Sequence, residues 1–158
     1  MVKLTPDALA WLLVLVHLCA TLFMTGLIWF VQLVHYPLKS SVGEESFVGY
    51  QARHVTLTGW VVGPPMLIEA ATALILALSP PRAELGGVAL VGLALLIAIW
   101  GATALASVPA HGRLARGFDE VTHRWLVRTN WIRTWGWSLR GGLSAWMVLL
   151  MSGVTLSP

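Results

Sequence analysis

Four of the five histidines in this sequence occupy equivalent places in its hydrophobic pattern. His35 closes the first long apolar run, His54 opens the second, His111 closes the third and His123 opens the fourth. If successive runs are helices crossing a layer in alternate directions, all four imidazoles gather at one end. Imidazole ligates non-haem iron, copper, zinc and haem iron, and it also serves as a general base. These four are the candidate metal ligands, with non-haem iron, copper or haem as the candidate group. The pattern is short of a signature, since it contains no HExxH and no twin histidines. The competing reading is that they are interfacial residues that bind headgroups or cap helix ends.

The segment 126–134, Leu-Val-Arg-Thr-Asn-Trp-Ile-Arg-Thr, holds a second candidate set. Asn130 and Arg133 are one helical turn apart, and the planar guanidinium suits a carboxylate, phenolate or phosphate. An arginine-rich segment that grips lipid phosphates is the plainer alternative, but Asn130 adds nothing to lipid anchoring. Deep in two apolar runs lie Glu69 and Arg140, each costly in hydrocarbon unless paired or hydrated. Asn130, Arg133, Glu69 and Arg140 are the candidate catalytic residues. For Glu69 and Arg140 a purely structural ion pair explains the charges equally well. His17 stands near their level on the first run and could join them, or be a satisfied core histidine.

The rest of the chain says what must position these groups. Hydrophobic residues make up 57% of 158 and charged residues 11%, under half the usual charged share. A soluble domain this short leaves too much surface exposed to hide that apolar excess, so lipid is the expected solvent. The net charge of +3 is too small to suggest nucleic acid, and one cysteine, Cys19, excludes an intrachain disulfide. The first apolar run is too long for the core of a cleaved signal peptide and reads as a retained helix.

The spacing predicts an all-α, integral membrane four-helix bundle in one domain, 1–158, with both termini on the same side. The expected spans are approximately 8–34, 56–79, 85–108 and 134–154, with amphipathic helical extensions at 44–55 and 119–133. Ser79-Pro80-Pro81-Arg82 makes a tight turn, Asp119 is a good N-cap, Pro37 and Gly43 break the chain, and Pro64-Pro65 should kink the second helix. Lys39, Arg53, Arg113, Arg116, Arg124, Arg128 and Arg133 share one side, against Lys3 and Arg82 on the other. By the positive-inside rule the His/Arg-rich face is cytoplasmic, and a bacterial inner membrane is the expected location.

Steps of three and four residues place one polar stripe on each helix. They are His17, Thr21, Thr25, Ile28, Gln32 and His35; then His54, Thr58, Val62, Pro65, Glu69 and Thr72; then Trp100, Thr103, Ser107 and His111; and finally His123, Val127, Asn130, Thr134, Trp137 and Gly141. Such stripes turn inward in lipid, which implies a semi-polar interior opening at the histidine end. Of the nine tryptophans, most are belt or packing residues; Trp100 and Trp137, on the stripes, are the candidate cofactor-binding residues.

The four-span layout, Tyr36-Pro37 after the first helix and Asn130-xx-Arg133-Thr134 at the start of the last resemble the anthrone-oxygenase-like family of small four-helix membrane proteins. The resemblance implies oxidation of a hydrophobic, phenolic substrate entering from the membrane, with Asn130 and Arg133 steadying an oxyanion and a histidine as base. The leading expectation is a membrane oxidoreductase or oxygenase acting on a lipophilic small molecule. The rival is a non-enzymatic accessory subunit of a larger membrane complex or homo-oligomer, binding lipid or partner helices.

Overall fold

The computed structural model describes residues 5–153. Lys3, used above for orientation, and Val154, the expected end of the last span, lie outside them. Among the described residues the regular structure is entirely helical, in four long rods: α1 (Pro6–Ser41), α2 (Glu44–Leu78), α3 (Ala83–Leu114) and α4 (Glu120–Ser152).

Local chemistry sets the ends. Thr5 caps α1 by accepting from the Ala8 amide at 3.2 Å, with Pro6 and Asp7 in the first turn, where a missing N–H and a negative charge both fit. Asp119 caps α4 as expected, accepting from the Thr122 amide at 2.9 Å. Hydrogen bonding to Thr122 holds this carboxyl below its ordinary range. Gly153 ends α4 at φ 71°, a left-handed position that favours glycine. The extensions expected at 44–55 and 119–133 are continuous with the helices that follow them.

Three rods, α1 to α3, are long and apolar enough to cross a membrane. The fourth is 33 residues long but more polar, with Arg140, serines and glycines among its tryptophans. Those polar groups are covered by neighbouring helices: Asn130, Arg133, Thr134, Arg140 and Ser144 are all buried.

Backbones approach most closely between α4 and α1, α4 and α3, α1 and α2, and α2 and α3, which closes a ring. Arg82, in the α2–α3 turn, pairs with Asp7 at 3.4 Å and donates to the Met151 carbonyl. Both ends of the described chain therefore lie at one end of the bundle. The core has two apolar clusters. One, around Met24, Ile28, Phe47, Ile99, Leu126 and Trp137, lies towards the histidine end. The other, around Val14, Leu76, Leu85, Ala89, Met147 and Met151, lies towards the termini. Glu69 and Arg140 form a polar layer between them.

Prolines shape α1 and α3 in a way the sequence reading missed. Pro37 does not break the chain; the turn before it, Val31–His35, widens to a π-helix, and α1 continues to Ser41. Pro109 follows a second π turn, Thr103–Ser107. A proline lacks its own N–H and its ring crowds the carbonyl four residues back, here Leu33 and Leu105, so opening that turn relieves the clash. Through Pro64-Pro65, α2 stays helical.

Candidate functional site

The two π turns flank a cavity of about 530 Å³ at the histidine end, bounded by all four helices. Its walls are apolar, from Met24, Leu27 and Ile28 on α1, Val55 and Val62 on α2 and Val108 on α3. Its polar groups are few: Tyr36, His54, Thr58, Thr103, Ser107, His111 and Arg133. An apolar pocket of this size with a handful of convergent polar groups is the usual form of a small-molecule site.

Three of the four histidines meet there. His35 Nε2 lies 2.9 Å from His54 Nδ1, which is also 3.1 Å from Thr58 Oγ1. The His54 and His111 rings are 5.4 Å apart. His111 uses both nitrogens, Nε2 at 3.0 Å from the Tyr36 hydroxyl and Nδ1 at 3.0 Å from Gln51 Nε2. His123 stands apart, its Nε2 2.7 Å from the Tyr36 backbone carbonyl and its ring against Phe118.

Of the expected metal set, His35, His54 and His111 come together and His123 does not. Among the described residues no group of three or more His, Cys, Asp or Glu is disposed to hold a metal ion. His35 Nε2, His54 Nδ1, His123 Nε2 and both nitrogens of His111 are engaged by neighbouring protein groups.

Behind the rings lies a hydrogen-bond chain. Lys39 Nζ, fully buried beside the Tyr36 and Tyr50 rings, donates to Gln51 Oε1 at 2.7 Å. In its ammonium form Lys39 only donates, and Gln51 then presents its NH₂ to His111. His111 Nδ1 then accepts, and its Nε2–H donates to the Tyr36 oxygen. The Tyr36 proton is left to donate elsewhere, at the cavity wall.

Arg133 lines the cavity, and Asn130 does not. Asn130 is fully buried; its Oδ1 accepts from Arg133 Nη1 at 3.0 Å and its Nδ2 donates to Gln32 Oε1 at 2.8 Å. Gln32 is anchored in turn on the Val127 carbonyl. Asn130 therefore positions Arg133 rather than reaching a ligand. Ser107 Oγ accepts a further bond from Arg133 at 3.2 Å.

Glu69 and Arg140 pair at 3.0 Å, both fully buried, across the bundle from α2 to α4. Glu69 also accepts from Trp137 Nε1 at 3.0 Å, and Arg140 donates to the Gly92 carbonyl. His17 does not join this pair; its Nδ1 bonds Thr72 Oγ1 at 2.9 Å. Neither expected cofactor-binding tryptophan lines the cavity. Trp137 is buried between Glu69 and Arg133, whose guanidinium lies 5.4 Å from its ring. Trp100 is 37% exposed on the outer face of α3. Counting back from Thr103 by four instead of three reaches Ile99, which is the buried residue.

Sequence reasoning passed over Lys39 and Gln51, and took Tyr36 only as part of a family motif. Lys39 read as a topology charge, because a buried lysine has no sequence signature. No family model, curated protein or solved structure matches this chain.

Proposed function

We propose that this chain is an integral membrane protein whose four helices all cross the bilayer and whose cavity binds a lipophilic small molecule at the basic, cytoplasmic end. The observation that carries the reading is the 530 Å³ cavity, apolar in its walls and polar at Tyr36, His54, Thr58, Thr103, Ser107, His111 and Arg133. Large apolar side chains cover the outside of the bundle, including Leu105 at 82% exposed, Trp60 at 76% and Ile97 at 66%. Water penalises such a surface and hydrocarbon does not. At about 1.5 Å per residue, each rod spans a hydrocarbon core of about 30 Å with length to spare. The polarity of α4 is no obstacle to its crossing, since Asn130, Arg133 and Arg140 face other helices. Arg53, Arg113, Arg116, Arg124 and Arg128 remain exposed at the histidine end, whereas Lys39 and Arg133 turn inward. The orientation thus rests on the five exposed arginines, which favour the cytoplasmic side of a bacterial inner membrane.

The chemistry these residues supply unaided is proton transfer and anion stabilisation. Tyr36 offers a proton, the His35–His54 pair links the cavity to the half-buried His35 at the surface, and Arg133 steadies negative charge. An oxidoreductase or oxygenase of the anthrone-oxygenase-like kind would use these groups to deprotonate a lipophilic substrate and hold its anion. An accessory subunit would leave them idle.

Filling the cavity tests the reading. A side chain at Gly59, which lines the cavity with open space beside it, meets no neighbour within 4 Å at the Cβ position. Gly59→Trp is expected to leave the melting temperature nearly unchanged and to abolish binding of neutral 1-aminoanthracene, measured by fluorescence in nanodiscs. Equal binding by both proteins would place the ligand elsewhere. Topology has its own check in a Cys19→Ser background. Ser79→Cys should react with impermeant maleimide from outside intact cells, and Ser46→Cys only after lysis; the reverse pattern would invert the orientation.

A further inference from the structure

The cavity end carries positive charge that its own side chains do not neutralise. Arg133, at the cavity wall, is 9% exposed. Among the described residues the ion pairs are Arg82–Asp7, Arg124–Glu120 and Arg140–Glu69, and neither Lys39 nor Arg133 takes part. Arg133 bonds two neutral oxygens, Ser107 Oγ and Asn130 Oδ1, and its Nε has no partner. Neutral acceptors orient a guanidinium without cancelling its charge, and an uncompensated ion in a low-dielectric interior is strongly disfavoured. The paired Glu69–Arg140 layer below shows the contrast, since its deep arginine has its carboxylate built in. Beside Arg133 the space where a counter-ion would stand is the cavity itself.

Tyr36 adds a second donor. The Lys39–Gln51–His111 chain makes its oxygen an acceptor from His111, so its own proton is available on the cavity side. Arg133 and Tyr36 both line the cavity. Two donors, one of them charged, at the end of an apolar cavity match an ionised head on an apolar body.

We propose that the cavity takes a lipophilic monocarboxylate, whose head is the counter-ion of Arg133 and accepts a hydrogen bond from Tyr36. This rests on the cavity being the ligand site, and it adds the charge and the head-to-tail direction of the ligand, its apolar body lying towards Met24 and Val62.

Laurate and 1-dodecanol, equal in chain length, separate charge from greasiness. Each would displace 1-aminoanthracene from the protein in phosphatidylcholine nanodiscs at about pH 8.5, where a carboxyl is ionised, with protein-free discs as background. Wild type should bind laurate about thirtyfold or more tighter than dodecanol, the lower end of what one partner of a buried charge pair is worth. Arg133→Gln should bring the two ligands level, with both still displacing 1-aminoanthracene. Arg133→Lys should restore part of the preference, and Tyr36→Phe should weaken laurate several-fold. Equal binding of laurate and dodecanol by wild type, or an unchanged preference in Arg133→Gln, overturns the monocarboxylate. So does phosphatidylglycerol outcompeting laurate, which would put a lipid headgroup on Arg133. Failure of aminoanthracene to bind at all would instead remove the cavity reading on which the proposal stands.

Discussion

Glu69→Ala should destabilise the bundle by about 3–5 kcal/mol, the range found when one partner of a buried ion pair is removed. The loss has little to do with missing attraction. Arg140 is 1% exposed and its Nη2 already lacks a partner, so without Glu69 a full charge is left dry with only the Gly92 carbonyl to solvate it. Trp137 Nε1 would lose its acceptor as well. Removing both charges, as Glu69→Leu with Arg140→Met, should recover most of the stability, because well-packed apolar pairs replace buried ion pairs at little cost. Thermal unfolding in a neutral detergent, followed by circular dichroism, measures all three proteins. If the single variant melts within a degree or two of wild type, or the double variant is the less stable, then Arg140 reaches water and the dry polar layer is wrong.

Gly136→Val is the second large effect, and it acts by the opposite fault, too much volume. Gly136 sits where α4 meets α3, and a Cβ built there would stand 2.7 Å from Ile99 Cγ1 and 3.0 Å from Cδ1. Ile99 is 1% exposed and enclosed in the upper apolar cluster, so it has nowhere to swing. The helices must separate, at about 1–3 kcal/mol or more for overpacking a tight core. Ile99→Ala removes both clashing atoms. Alone it should also destabilise, by about 2–5 kcal/mol through the cavity it leaves. Combined, the two should cost clearly less than their sum, a coupling that a double-mutant cycle reads directly. Strict additivity would show that Gly136 and Ile99 do not touch. Of the next two glycines on α4, Gly141 has a near neighbour, Thr25 Oγ1, at 3.3 Å from a built Cβ, and Gly142 has none within 4 Å.

The sequence by itself determined a good deal about this protein. Four helices follow from apolar runs separated by charges, prolines and an Asp119 cap, because these are local effects that a window of a few turns contains. That four histidines share one end follows from alternation alone. That Glu69 and Arg140 pair follows from chemistry, since two opposite charges deep in apolar helices have few ways to be tolerated. His17 was within reach of that pair on the same reasoning, yet it bonds Thr72, because depth on a helix does not specify which side-chain atoms meet.

Tertiary structure decided everything that depends on phase and on which atoms touch. A step of three or of four residues is equally helical, so Trp100 and Ile99 were indistinguishable until α4 packed against one of them. Two π turns, each set off by a proline, shifted the faces of α1 and α3 just where the cavity forms. Buried Lys39 meets Gln51, Gln51 meets His111, and His111 meets the Tyr36 hydroxyl, a chain that no local spacing announces. Hydrogen-bond direction is a relation among residues 36, 39, 51 and 111, distant in sequence, and only the folded chain brings them within 3 Å of one another.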